Sequence, residues 1–357
     1  MDKLLNYLQL FSVNGVGEET ILNLIKNFNE VSKIFNAELD ELLKFVDYDT
    51  AIAIKESVKK DFKKKLFNLA SLNVRVVDFN DPMYPDSLRN IPHPPPVIFV
   101  RGRLVSDMEG LAIVGTRKCT EYGRQVARLF AKELAQAGLV IISGLARGID
   151  TEAHIGALEA GGKTIGVLGS GIDRIYPPEN RKLVGEIIKN GAVISEFPPG
   201  MPPLAQNFPK RNRIISGLAR ALLVVEAPIK SGVMSTVNWA LAQGKDVFVV
   251  PGNITSKASE GTNQLIKDGA IPVTTPRDIL DELKIYPEYE KKVKEIELSG
   301  DEKIVLDALD HTIPNQFDKI SEKTHFSIDK LSSILLALEL KGLVKQLPGR
   351  YFIKTIS

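Results

Sequence analysis

Cysteine is almost missing from this sequence: Cys119 is the single one among 357 residues. An intramolecular disulfide and a Cys-rich zinc site are thereby excluded, which fits a reducing cytosol and leaves metal chemistry with little to work on. No apolar run approaches the roughly 18 residues of a membrane span. The amino terminus, MDKLLNYLQLFSVNG, lacks the charged start and small-residue cleavage site of a signal peptide. The expectation is a soluble, cytoplasmic protein with no membrane partner. An excess of one charge is also absent, since 46 Lys and Arg face 44 Asp and Glu for a net charge of +2. A globally basic nucleic-acid binder is not indicated, so any DNA partner must be met by locally concentrated charge.

What is present is an ordinary globular composition, 44% hydrophobic and 25% charged, on a chain long enough for two or three domains. Residues 1–66 read as helical: Leu4, Leu5, Leu8 and Phe11 recur at helical spacing, as do Ile21, Leu22, Leu24, Ile25 and Phe28. The turn Val13-Asn14-Gly15-Val16-Gly17 between them looks like a helix-hairpin-helix turn. It is followed at once by Glu18 and Glu19, which would repel a phosphate, so a packing turn is weighed above a DNA contact. Residues 67–285 alternate short β-branched runs with helical segments, the pattern of a parallel sheet covered on both faces. Nine strands are expected: VRVVDF, VIFVRG, LAIVG, LVIISG, TIGVLG, AVISEF, ALLVVEA, DVFVVPG and AIPVT. The run IPHPPP, Ile91 to Pro96, must be extended. The charged stretch Lys284 to Ser299 is a linker candidate. Residues 298–357 promise three short helices and a hairpin in the order of a winged helix, with Gly342 ending the third helix and Pro348-Gly349 turning the wing. The exposed side of that third helix offers Asp329, Lys330, Ser332, Ser333 and Glu339, a nearly neutral surface that favours packing or protein contact over DNA reading.

Four strand-to-helix junctions carry the candidate chemistry. Gly115-Thr116-Arg117 ends one strand and precedes a helix, where an open parallel sheet binds ligands and a helix start attracts anions. Arg117 adds a planar, permanently charged fork suited to phosphate. In the segment Ser143 to Asp150, Gly144 and Gly148 are expected to leave backbone amides open, Ser143 to supply a hydroxyl and Arg147 a charge. Asp150 stands where an N-cap belongs, and His154, one turn on, reads as a packed residue. Phe208-Pro209-Lys210-Arg211-Asn212-Arg213 is the densest cation cluster, with charges at a helix start and Phe208 as a ring on which a base could stack. Ser231-Gly232 and Gly252-Asn253 are weaker turns of the same kind. Two decoys fail: Gly169-Ser170-Gly171 begins a dinucleotide fingerprint but meets Arg174 and Pro177-Pro178 where its helix should start, and Gly162-Lys163-Thr164 enters a strand where a triphosphate loop must leave one.

Taken in order, GTRKCTEYGR, SGLARGIDTEAHIGALEAGGKTIGVLGSGIDRIYPPEN, ISEFPPG, FPKRNRIISGLA, VVEAPIKSG and VVPGNITSKASEGTNQLIKDGA resemble the DNA-processing protein A family, called DprA or Smf, strongly over about residues 75–280. The resemblance implies an α/β fold with a Rossmann-like core, an N-terminal helical domain of the helix-hairpin-helix or SAM-like kind and a C-terminal winged-helix domain. It implies single-stranded DNA as partner, no catalytic step and no cofactor, loading of the RecA recombinase during natural transformation, and a homodimer. It assigns phosphate gripping to Arg117, Lys210, Arg211 and Arg213, and pocket shaping to Gly115, Ser143, Gly144 and Gly148. The sequence SGVMST departs from the family's usual residues after Ser231-Gly232. Two rivals are a nucleoside-monophosphate phosphoribohydrolase, whose chemistry needs a glutamate that is absent between Ala227 and Ser259, and an adaptor whose Rossmann pocket holds a small nucleotide.

Overall fold

The computed structural model describes residues 2–104, 106, 108–285, 298–309, 314–341 and 343–354. The chain divides into two compact units, Met1–Tyr286 and Pro287–Ser357.

The first unit opens with helices α1 (Asp2–Leu10), α2 (Glu18–Phe28), α3 (Val31–Asn36), α4 (Leu39–Leu42), α5 (Tyr48–Ser57) and α6 (Lys63–Ser71). Then follow β1 (Arg75–Asp78), α7 (Asp86–Arg89), β2 (Val97–Gly102), β3 (Gly110–Val114), α8 (Glu121–Gln136), β4 (Val140–Ser143), α9 (Ile149–Glu159), β5 (Thr164–Val167), α10 (Arg181–Asn190) and β6 (Ala192–Ser195). The unit closes with α11 (Asn207–Leu218), β7 (Ala221–Val224), α12 (Val233–Ala242), β8 (Asp246–Val249), α13 (Glu260–Lys267), β9 (Ile271–Pro272) and α14 (Pro276–Glu282). All nine expected strands form one sheet, in the order β1-β2-β6-β5-β4-β3-β7-β8-β9. The seven strands β3 to β9 are mutually parallel, and β2 runs against them, pairing antiparallel with β6 on one side and with the edge strand β1 on the other. The parallel-sheet core expected from the sequence is thus present, with an antiparallel edge that the sequence pattern does not mark. The link from β1 to β2, residues 79–96, is long enough for a parallel return but holds only the four-residue α7 and then Pro92, Pro94, Pro95 and Pro96, so it lacks the crossover helix that such a return usually uses.

Strands β3 to β7 are buried throughout, so both faces must be covered. On one face Ile98, Val100, Ile194, Leu222 and Val224 pack with Ile214, Ile215 and Leu218 of α11 and Val233 and Val237 of α12. On the other, Ile113, Ile141 and Phe248 pack with Phe130 and Leu134 of α8 and Ala153 of α9. The N-terminal helices do not keep a core to themselves. Val97, Phe99 and Val193, alternating with the residues that face α11, join Leu8, Leu24, Ile25 and Ile34 in one apolar cluster.

The second unit is a winged helix: α15 (Gly300–Asp307), β10 (Asn315–Gln316), α16 (Phe317–Thr324), α17 (Ile328–Leu340), β11 (Val344–Leu347) and β12 (Tyr351–Lys354), with sheet order β10-β12-β11. Ser299 and Glu302 form a reciprocal capping box at the start of α15. Gly349, at φ +82°, turns the wing as expected; Gly342 and most of the linker candidate lie outside the described residues. On α17 the Ser332 and Ser333 hydroxyls donate back to Ile328 and Asp329 carbonyls, and Lys330 pairs with Asp301. Among the described residues no helix is long and apolar enough to cross a membrane, and no cluster of His, Cys, Asp and Glu could hold a metal ion.

Candidate nucleic-acid interface

From β3 the chain winds outward through β4, β5 and β6, then returns to place β7 on the other side of β3. The loops leaving β3 and β7 therefore part in opposite directions, and a crevice must open beyond their carboxyl ends. A cleft of about 890 Å³ lies there. Arg117 and Lys118 enter it from the end of β3, Phe208, Arg211 and Asn212 from α11, Lys230, Ser231 and Gly232 from the β7–α12 loop, and Lys257 from the loop after β8. Arg117, Lys118, Lys230 and Lys257 are all exposed, and none has an ion-pair partner among the described residues. The one carboxylate lining the cleft is Asp150.

The Gly115-Thr116-Arg117 turn is clamped from two sides. The Thr116 amide donates to the Glu226 carbonyl (2.7 Å), and the buried Glu226 carboxylate accepts from the Thr120 amide and hydroxyl (2.9 and 2.5 Å) at the start of α8. From the other side Gly148, at φ +77°, presses its backbone on the turn; a Cβ there would lie 2.5 Å from the Thr116 carbonyl oxygen. Arg117 is thus projected into the cleft from a fixed base, its guanidinium 5.5 Å from the centre of the Phe208 ring. Tyr176 stands tilted against the same ring at 5.9 Å.

Below that ring sits a buried polar layer. Arg211 donates to the Gly144 carbonyl (2.7 Å), the Val167 carbonyl and the Asn212 side chain (3.2 Å). Burial pulls its pKa down to about 10, with Asp150 opposing. Asp150 is not the N-cap of α9, which is Gly148; its carboxylate accepts from the amides of Gly144 (3.1 Å) and Ala146 (3.3 Å). Burial raises Asp150 to about 6, against the pull of Arg211, those amides and Arg117.

Several expected ligand groups are thereby committed elsewhere. The Gly144 amide, read as open, is taken by Asp150, and the Ser143 hydroxyl donates to the Ile113 carbonyl (2.6 Å). Arg147 lies outside the cleft lining and forks onto Glu179 (2.5 and 2.7 Å). Arg213 is also outside it: its guanidinium, only 2% exposed, donates to both oxygens of the equally buried Glu196 (2.6 Å each) and to the His93 and Lys210 carbonyls. Burial pushes the Glu196 carboxyl up while these two hydrogen bonds pull against it, and the pair of bonds holds Arg213 charged. Lys210 faces a neighbouring groove with Gly15 and Gly17 and pairs with Glu18 (2.6 Å). Glu18, the first of the two acidic residues after the helical hairpin turn, thus meets the cation cluster directly. His154 is packed as expected, with Nδ1 2.7 Å from the Thr164 hydroxyl, which itself donates to Ile141, and burial depresses its pKa to about 3. Lys118, Lys230 and Lys257 went unnoticed in the sequence. The first two adjoin the Arg117 and Ser231-Gly232 motifs, a signal that could have found them; Lys257 has no such neighbour.

Two family models match the chain: DNA recombination-mediator protein A over residues 75–284 and the DprA winged helix domain over residues 290–350. Protein Smf of Escherichia coli is 39% identical over 305 residues, covering 82% of this chain and 81% of its own. DNA processing protein DprA of Streptococcus pneumoniae is 42% identical over 57% of this chain and 72% of its own. The crystallographic structure of the pneumococcal protein superposes with a TM-score of 0.67 at 33% identity, over 78% of this chain and 97% of that one. DNA processing protein A of Helicobacter pylori, solved for its single-stranded DNA binding mode, gives 0.55 at 31% identity, over 60% and 96%. With this match running through the same strand ends that build the cleft, the chain belongs to the DNA recombination-mediator protein A family.

Proposed function

We propose that this protein binds single-stranded DNA in the cleft beyond β3 and β7, holding phosphates with charge and bases with rings. The observation that carries the reading is the set of four exposed, unpaired cations, Arg117, Lys118, Lys230 and Lys257, around the half-buried Phe208 ring. Four cations converging on one crevice whose lining holds a single carboxylate make a local positive potential, on a chain whose net charge is only +2, and that potential favours an anionic ligand. Arg117 and the lysines would take backbone phosphates, with Ser231 and Asn212 as polar neighbours. Phe208, with its Tyr176 neighbour, would take the face of a base, worth about 1 to 3 kcal/mol per base. Nothing in this set reads base edges, so sequence preference is slight, and duplex binds more weakly because its bases are already stacked.

The test is a titration of oligothymidylate at several salt concentrations. Log affinity falls against log salt by about 0.7 per phosphate neutralised, and Arg117→Ala lowers affinity for every sequence and flattens that slope by about 0.7. Equal affinity for duplex, or an unaltered slope in Arg117→Ala, would remove this reading. A small-nucleotide adaptor instead predicts binding of mononucleotides that no oligonucleotide competes away. The further reading is a mediator that hands the bound strand to the RecA recombinase during transformation, as a homodimer and without a catalytic step. Its support is the family membership. It predicts faster recombinase assembly on protein-coated single strands and a doubled mass by light scattering; a monomer with no effect on assembly would refute it.

A further inference from the structure

Beside the main cleft lies a second one, of about 430 Å³, that shares two of its walls. Tyr176 and Pro203 line both. Its other walls carry Arg101 from β2, Asp173 and Arg174 from the loop after β5, and Arg181 from the start of α10. The charge there is unbalanced. Asp173 is the single acid of the lining; one of its oxygens accepts from the Gly200 amide (2.7 Å), and the other is 4.0 Å from Arg174. Lys65 of α6 is a fourth cation within reach of that carboxylate's field. Arg101 and Arg181 have no ion pair among the described residues, and the Arg101 Nε is buried without any hydrogen-bond partner. Burial depresses both Lys65 and Arg101, with Asp173 alone opposing. A buried donor left unmade beside a cation excess costs free energy that a bound anion would return.

We propose that this second cleft is a phosphodiester subsite, which takes the backbone of the same single strand where it leaves the main cleft across the Tyr176 ring. The inference rests on the DNA reading above. Arg174 and Arg181, both exposed, take successive phosphates of the entering strand, and Arg101 lines the same cleft as a third cation whose Nε has no partner. Tyr176, tilted on Phe208, carries the base step between the two charged stretches.

Oligothymidylates of increasing length test it on the full chain. The wild type should show affinity rising in two stages, the second beginning when the strand is long enough to pass Tyr176. Each phosphate contact adds about 0.7 to the salt slope, so two contacts add about 1.4, or about 25-fold in affinity at 0.1 M salt relative to 1 M. In the Arg174→Ala, Arg181→Ala double variant, short oligonucleotides should bind as to the wild type, while long ones lose that 25-fold and the slope falls by about 1.4. The corresponding double lysine variant should restore most of both. If the double alanine variant matches the wild type at every length, or weakens short and long strands alike, the subsite is overturned. If the wild type binds no oligothymidylate of any length, the main-cleft reading falls and the subsite with it; loss confined to Arg117→Ala would overturn the subsite alone.

Discussion

Arg213 belongs to the cation cluster by sequence and to the core by structure, and one substitution separates the two roles. Arg213→Ala removes both donors from Glu196, a carboxylate whose side chain is 2% exposed, and strips one donor each from the His93 and Lys210 carbonyls. Glu18, at 3.5 Å, is partly exposed and solvates itself. Breaking a buried ion pair from one side costs about 3 to 5 kcal/mol, because the remaining charge is left uncompensated. Against a typical total of about 5 to 15 kcal/mol this is a large fraction. The sole tryptophan, Trp239, donates to the Pro209 carbonyl on the neighbouring helix and reports unfolding of this unit by fluorescence. With a urea m-value of about 3 kcal/mol/M the midpoint falls by about 1 M or more. The loss has a pH signature. Without Arg213 the Glu196 carboxyl is raised further by burial, so the folded state takes up a proton. The destabilisation is then full above that raised value and shrinks as pH falls toward the ordinary carboxylate range near 4. Adding Glu196→Gln to the variant recovers part of the loss at neutral pH. A wild-type midpoint for Arg213→Ala, with DNA binding abolished, would refute the structural assignment and return Arg213 to the phosphate-holding set.

Two further outcomes follow from the cleft. Asp150, held near pH 6 by burial, is raised above its unfolded value, so its contribution to stability is present below about 4 and is lost as pH rises through about 6. Its protonation removes the one negative charge of the cleft: oligothymidylate affinity rises from pH 7.5 to pH 5.5 at fixed salt, and Asp150→Asn flattens that rise; an identical pH profile in the variant would count against it. Gly148→Ala forces a left-handed backbone and drives a Cβ to 2.5 Å from the Thr116 carbonyl. It should cost about 1 to 3 kcal/mol in urea unfolding and weaken DNA binding by displacing Arg117, whereas wild-type values in both assays would show the turn to be unconstrained.

Strand existence was legible because runs such as ALLVVEA and DVFVVPG are short, β-branched and bounded by turn residues, a pattern a helix does not tolerate. Strand direction was not. VIFVRG reads the same parallel or antiparallel, and only its pairing with Val193 and Ile194 decides. The cleft was legible at Gly115-Thr116-Arg117, since a strand end before a helix has one geometry in a parallel sheet. The Lys210 to Arg213 cluster was legible as charge but not as placement. Whether a guanidinium faces solvent or a buried carboxylate depends on Glu196 and Glu18, seventeen and 195 positions away from Arg213. Single lysines such as Lys257 carry no local mark, and their convergence is a property of the fold alone.

The apolar cluster that Leu8, Leu24, Ile25 and Ile34 share with Val97, Phe99 and Val193 has a consequence for dissecting this protein. Cutting the chain at the end of α6 would strip the lid from a row of aliphatic and aromatic side chains on the sheet's edge, each worth about 1.5 to 3 kcal/mol when buried. The shortened chain would be sticky as well as unstable, so lost activity in such a truncation reports the bared surface rather than any task of the removed helices.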